Sequence, residues 1–511
     1  MQYFLGIDIG TSGTKALLLG ADGQVRGCAT VAHGSLFPRP GWSEQRPGDW
    51  WKSCCAAVRQ TLRRARLGAA AVAGVGLSGQ MHGSVFLDAS GRVLCNAILW
   101  NDQRTQAECA EIERRAGGRA ELIRLVRNVA LAGYQAPKIL WLRRHQPRLF
   151  RQTATILLPK DYINFLLTGV RHSDVSDASG TLLFDVAGRR WCTALMERLE
   201  LDPRLFPPVG ESCAVIGEVS AKAARQSGLK AGTPVVAGAG DQAAAAVGTG
   251  VVQPGMVSAT IGTSGVVFAH SDQPVPNEAG LLQAFCHAVP EAWCVFGCML
   301  SAGGSLQWAR QVLYADRLRK ARSAAARDRL YADMIGEAAK ADDGGTLLFH
   351  PYLTGERCPY PHPHARAALL GLTRRHARGA IVRAVLEGIT LGMARQIELM
   401  RDLGVPVEEV RLAGGAARNA WWRQLQADVY GVRCAVMRSE EGSALGAAIL
   451  AGVGVGAFGD VVAACQRLVR VRQTLRPRAE RTRYYRERAA QMRESYELLE
   501  PWYRRIAGDA E

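Results

Sequence analysis

Two aspartates stand where an apolar run gives way to a turn, a place from which a carboxylate can act on a bound molecule. Asp8 closes "YFLGID", just before Gly10-Thr11-Ser12-Gly13. Asp241 follows "VVAGAG" and opens the helical run "QAAAAVG". An Asp there can cap a helix, or it can accept the proton of an attacking hydroxyl as a general base. The segment "IGTSG" occurs twice, at Ile9–Gly13 and Ile261–Gly265. Glycine and small hydroxyl residues at a hairpin tip let backbone N–H groups face an anion without a Cβ in the way. The hydroxyls of Thr11, Ser12 and Thr263 add donors. Either copy alone reads more readily as an ordinary surface hairpin; two copies, each between apolar strands, fit a polyphosphate gripped by two similar halves. A carboxylate such as Asp8 beside bound phosphate repels it unless a cation stands between them, which implies Mg²⁺. Phosphoryl transfer needs little more than these parts.

The elements that must position these groups are legible as an α/β pattern. "YFLGID", "TKALLLG" and "VRGCATVA" read as three short strands, a helix starts at about Asp49 as N-cap, and "AVAGVGLSG" is a further strand. Strand–strand–strand–helix–strand differs from the alternation of a dinucleotide-binding unit. The theme returns later: "GMVSATIG" and "VVFAH" flank the second turn, "GTLLFHPYL" and "EVRLAGG" read as strands, and "AIVRAVLEGITLGMARQIELMRDL" reads as a helix ended by Gly404. "AWWRQLQADVYG" and "GSALGAAILAG" read as helices. The repeat is therefore at the scale of whole domains.

At 511 residues the chain is expected to form two domains, 1–247 and 254–511, joined through "GTGVVQPG". Its start lacks a basic leader and a cleavage site, and Pro234–Ala269 is too broken by polar residues to span a membrane. Thirteen scattered cysteines without a CxxC pair suggest reduced thiols in a cytoplasm rather than disulfides or zinc. The net charge of +17 raises nucleic acid as a partner. However, many arginines lie in the tail, interleaved with glutamates at helical spacing, which describes a solvated helix with ion pairs. Neither nucleic acid nor membrane is the expected partner; a homodimer is left open. "GVGLSG" and "GAGDQA" match the GxGxxG pattern, but no acidic residue ends a second strand about twenty positions on, and no phosphate-loop or protein-kinase signature is present.

"GIDIGTSGTK", "SGQMHG", "LPKDY", "GAGDQ", "IGTSG", "PYLTGER" and "LAGGAARN" occur in the order found in the FGGY carbohydrate kinases, and the chain resembles that family over nearly its whole length. "SGQMHG" followed by "AILWNDQR" is similar to xylulokinases in particular. The resemblance implies two ribonuclease H-like, actin-like domains, with sugar on the N-terminal side, ATP on the C-terminal side and a cleft between them that compacts around the sugar. It implies ATP and Mg²⁺, with Asp241 as catalytic base and Asp8 beside the metal. Met81, His82 and Gln242, with Asp241, would contact the sugar. Thr11, Ser12, Gly13, Lys15 and Thr263 would hold phosphates, and Gly303, Gln307, Gly415 and Asn419 the nucleotide. The implied reaction is phosphorylation of D-xylulose.

The chain departs from the family pattern at several positions. Gln242 stands where xylulokinases usually have Asn, as in glycerol kinases. Ala416 replaces a glycine of the nucleotide loop, Gln135 and Ala380 each break a family signature, and Cys358 replaces a common Thr. The alternatives are another kinase of the family, acting on ribulose, another pentulose or glycerol, and an actin-like ATPase without a sugar substrate.

Overall fold

The computed structural model describes residues 1–341 and 345–506. The chain groups into two compact units, and it passes between them more than once. Met1–Gln253, His270–Cys294 and Glu441–Arg470 form the first; Pro254–Ala269, Val295–Glu440 and Val471–Glu511 form the second. The first crossing falls in the glycine-containing segment where the linker is expected. The later ones leave no signature in composition, because a strand that changes unit has the same residue types as one that does not.

The first unit is built on a sheet of β1 (Tyr3–Ile9), β2 (Gly13–Gly20), β3 (Val25–Ala32), β4 (Val72–Gly79), β5 (Val215–Glu218), β6 (Pro234–Val236) and β7 (Ala239–Gly240). The order is β5-β6-β4-β1-β2-β3, with β7 also beside β4. β1, β2 and β3 form an antiparallel meander, whereas β4 runs parallel to β1. α1 (Pro47–Ala65) covers one face with Trp50, Val58 and Leu62, against Leu5, Ile7 and Leu18. Its N-cap is Arg46, and Asp49, the expected cap, sits inside the first turn; Pro47 starts the helix earlier because its fixed φ suits a first helical position.

On the other face lie α2 (Asp241–Thr249) and the helix Ser443–Gly454, at a separation that only small residues permit. A Cβ on Gly6 would stand 1.8 Å from the Ala444 carbonyl oxygen, one on Gly76 2.1 Å from that of Ala447, and one on Gly446 1.8 Å from that of Ala244. The run "GSALGAAILAG" is thus the layer between sheet and α2, which explains its composition.

The second unit repeats the plan with β8 (Gly255–Ile261), β9 (Gly265–Ser271), β10 (Trp293–Met299), β11 (Val407–Gly414), β12 (Arg433–Met437) and β13 (Val471–Leu475), in the order β10-β9-β8-β11-β12-β13. β8 pairs antiparallel with β9 and parallel with β11, as β1 does with β2 and β4. Around this sheet pack α3 (Ala302–Leu313), α4 (Ala324–Lys340), α5 (Arg378–Asp402), α6 (Ala420–Tyr430) and α7 (Ala479–Ile506). Gly404, at φ +80, follows α5 as expected of a helix stop. "GTLLFHPYL" contributes only the short strand Leu348–His350, paired with Ala368–Leu370 outside the main sheet.

The basic tail is not simply a solvated helix. α7 buries Met492, Tyr496 and Tyr503 against Tyr352 and Leu391, and Tyr485 donates to Glu387 Oε1 at 2.9 Å. Its arginines occupy the other faces, with pairs such as Arg504–Glu500. No helix among the described residues is long and apolar enough to cross a membrane.

Candidate functional site

In the first unit, three parallel strands end side by side. Asp8 on β1 is level with Ser78 on β4, which is level with Ala239 on β7; Ile9, Gly79 and Gly240 form the next row. Parallel neighbours lie about 4.8 Å apart, so Asp8 and Asp241, one residue beyond that row, come to the same end of the sheet from positions far apart in sequence. Ligands of open α/β sheets bind at this carboxyl end. Gly240 is the N-cap of α2 and Asp241 its first residue. The carboxylate is therefore not spent as a cap.

The electrostatics follow from this crowding. Burial, with the nearby Asp8 charge adding to it, pushes the Asp241 carboxyl up to about 7; the amide of Gln242, donating to Asp241 Oδ1 at 3.4 Å, pulls the other way. Burial also raises Asp8, opposed by the Ser78 hydroxyl, which donates to Asp8 Oδ1 at 3.0 Å, and by Lys15. Two carboxylates that hinder each other's ionisation are suited to a cation between them. No group of three or more Asp, Glu, His or Cys side chains that could hold a metal is found among the described residues. A metal here would take one or two carboxylates and complete its shell from phosphate and water, as Mg²⁺ does.

Met81 and His82 follow β4 after Gln80, Met81 against the Gly240 turn and His82 against the 3₁₀ turn at Gly180. A Cβ on Gly240 would stand 2.8 Å from Met81 Cε, and one on Gly180 2.7 Å from His82 Nδ1. His82 has φ +69, and its Nδ1 donates to the Gly180 carbonyl at 2.7 Å. Two residues hold this turn that sequence reasoning did not assign to it. Lys138, fully buried, donates to the carbonyls of His82 (2.8 Å) and Gly133 (2.7 Å). Gln135, one of the broken signature positions, donates to Gly83 O (3.1 Å) and Leu157 O (3.3 Å). A lysine inside an apolar helical run was the available signal.

The twin "IGTSG" segments build different turns. In the first, Ile9 pairs with Thr14 and Gly10 N–H donates to Gly13 O (3.0 Å); in the second, Ile261 pairs with Gly265 and Gly262 N–H donates to Ser264 O (2.9 Å). The first loop is thus one residue longer. Thr11 is partly committed, its Oγ1 accepting from Trp100 Nε1 at 3.0 Å. Ser12 is exposed and Gly13 half-buried. Lys15, expected near phosphate, instead pairs its ammonium with Glu441.

In the second unit, a pocket of about 520 Å³ opens at the carboxyl ends of β8 and β11. Thr263, Gly303, Gln307, Gly415 and Asn419 all line it. Gly303 is there because the start of α3 lies on the second turn: its N–H donates to Gly262 O at 2.9 Å, and a Cβ would stand 2.3 Å from that oxygen. Asn419 caps α6, accepting from Trp422 N–H at 3.1 Å. Ala416 costs the loop nothing, since the left-handed position is Gly414, at φ +78, and Ala416 lies in a short 3₁₀ turn. Asp328 and Tyr331 on α4, with Trp422, complete the wall. Neither of the first two lies in a recognisable motif, and only the packing of α4 brings them in. The volume suits a nucleoside-sized ligand.

Family models match both parts of the chain: that of the FGGY family of carbohydrate kinases, N-terminal domain, over residues 3–248, and the C-terminal domain over 257–455. The xylulose kinase of Escherichia coli is 36% identical over 500 residues, covering 98% of this chain and 99% of that one. That of Bacillus subtilis is 34% identical over 485 residues, covering 95% of each. The crystal structure of xylulose kinase from Rhodospirillum rubrum superposes with a TM-score of 0.89 at 29% identity, covering 98% of this chain and all of that one.

Proposed function

We propose that this chain, which belongs to the FGGY family of carbohydrate kinases, transfers the γ-phosphoryl group of ATP to the terminal O5 hydroxyl of D-xylulose, giving D-xylulose 5-phosphate and ADP. The observation that carries the chemistry is the placement of Asp241 at the strand ends beside Asp8 and the Met81-His82 turn, with its carboxyl held near 7. The identity of the sugar is supported by near-full-length similarity to chains named xylulose kinase.

In this reading Asp241 accepts the proton of the attacking hydroxyl, and the oxygen bonds to the γ-phosphorus as the bond to ADP breaks. Met81, His82 and Gln242 orient the sugar. Gly303, Gln307, Gly415 and Asn419 hold the nucleotide, while Thr263, with Thr11, Ser12 and Gly13 of the first hairpin, donates to phosphate oxygens. Lys15 joins them only by leaving Glu441, so its contribution depends on bound phosphate being the stronger partner. Mg²⁺ bound at Asp8 would neutralise phosphate charge and lift the repulsion between the two aspartates. A cytoplasmic location fits the thirteen cysteines, all of them free thiols.

A second reading rests on Gln242, whose longer amide leans on Asp241 where a shorter Asn is usual among xylulokinases. It gives the same chemistry on another pentulose or on glycerol. A coupled ADP-release assay with Mg²⁺ and ATP against D-xylulose, D- and L-ribulose, L-xylulose and glycerol separates the two. We expect D-xylulose to turn over fastest; preference for another acceptor moves the specificity to Gln242, and no acceptor-dependent ADP release overturns both readings.

A further inference from the structure

Lys160 belongs to "LPKDY", a motif that the reaction as described leaves without a task. Its side chain is fully buried, with Nζ 2.5 Å from Asp161 Oδ1, 3.0 Å from Asp174 Oδ1 and 3.9 Å from Asp177 Oδ2. All three carboxyls are at most 1% exposed. One ammonium cannot balance three buried carboxylates. Burial accordingly lifts Asp177 well above the carboxylate range, and neither of its oxygens has a hydrogen-bond partner among the described residues. Such an assembly is expensive to bury, and breaking it leaves an uncompensated charge.

Lys160 and Asp174 connect this cluster to the turn before Asp241. Gly238, at φ +75, breaks β6 from β7, and β7 is only two residues long, so the sheet ladder alone does not hold Ala237–Gly240. The Ala237 carbonyl accepts from Lys160 Nζ (3.2 Å) and from Asn164 Nδ2 (2.8 Å). Gly238 N–H donates to the Ser212 carbonyl (2.9 Å), and the Ser212 hydroxyl donates to Asp174 Oδ2 (2.8 Å). Gly240 N–H donates to Ser176 Oγ (3.1 Å), whose own proton goes to Asp174 Oδ2 (2.5 Å).

We propose that Lys160 and Asp174 are positioning residues for Asp241: Lys160 by its own bond to Ala237 and Asp174 through Ser176 and Ser212, they clamp the turn that carries the base and fix where its carboxylate meets the acceptor hydroxyl. The inference rests on the reading of Asp241 as base. Misplacing a reacting group by about 1 Å can cost about a hundredfold in rate, so a clamp of this kind acts on turnover more than on binding.

Ser176→Ala is the deciding variant, because it removes the Asp174–Gly240 link without touching a charge. We expect its kcat with D-xylulose to fall by about tenfold or more, with the KM for ATP unchanged and the protein folded by circular dichroism and thermal melting. Lys160→Met is expected to lose more per folded molecule; should it not fold, Ser176→Ala decides alone. Asp241→Asn is assayed in parallel. If it is inactive while Ser176→Ala keeps the parent kcat, the clamp is overturned and the base stands. If Ser176→Ala loses activity only in proportion to folded protein, or through a raised KM for ATP, the network is structural and the proposal fails. If Asp241→Asn turns over normally, the base reading fails and takes this one with it.

Discussion

Asp241→Asn should lower kcat by about 10²–10⁴-fold, the range a positioned general base contributes, with little change in melting temperature. The amide keeps the shape of the carboxylate. Asp241 caps nothing, and its side-chain partner is the amide of Gln242 at 3.4 Å, so the fold loses almost nothing. Removing the charge also relieves Asp8, whose field is one of the two causes that raise Asp241. Nucleotide binding should therefore be retained. The unmodified enzyme carries the matching signature in pH. A base must be ionised to accept a proton, so with the Asp241 carboxyl near 7 activity falls as pH drops through that value. The acid limb of kcat/KM should have unit slope, and, because a cation at Asp8 cancels the Asp8 contribution, it should lie below about 7 in the Mg²⁺-dependent reaction. Profiles from about pH 5 to about pH 9 check both; a flat acid limb, or undiminished turnover by the Asn variant, overturns the assignment.

The sequence made this site legible to the extent that its chemistry is local. Asp8 and Asp241 were visible because each ends an apolar run at a glycine turn. Thr263, Gly303, Gln307, Gly415 and Asn419, drawn from three separate motifs, line one pocket. Identical residues did not mean identical backbone: the two "IGTSG" turns differ by a residue, because strand pairing beyond the motif sets loop length. What escaped altogether was the support. Lys160 and Ala237 meet across 77 positions, Ser176 and Gly240 across 64, and no periodicity encodes a contact of that kind. The tail was misread for a related reason: interleaved charge describes the exposed faces of α7, while its tyrosines at wider spacing form the buried one.

Gly446→Ala should be among the most damaging single-methyl changes in the chain. Its Cβ would stand 1.8 Å from the Ala244 carbonyl oxygen, 2.7 Å from the Ala244 carbonyl carbon and 2.9 Å from Gly248 N. These are backbone atoms of α2, so no rotamer change relieves the clash, and the helix Ser443–Gly454 and α2 must part. Overpacking of a tight core costs about 1–3 kcal/mol and sometimes more; with backbone on both sides we expect about 3 kcal/mol or above, a fall in melting temperature on the order of 3–5 °C for a chain of this size. Because α2 begins at Asp241, the displacement should reach the base, so that kcat falls in the molecules that remain folded. Gly459→Ala, in the same segment and exposed with open space around its Cβ position, is the control and should leave both quantities unchanged. Parent-like melting and turnover in Gly446→Ala would mean that the two helices are not held at this separation, and that the glycines of "GSALGAAILAG" serve no close approach.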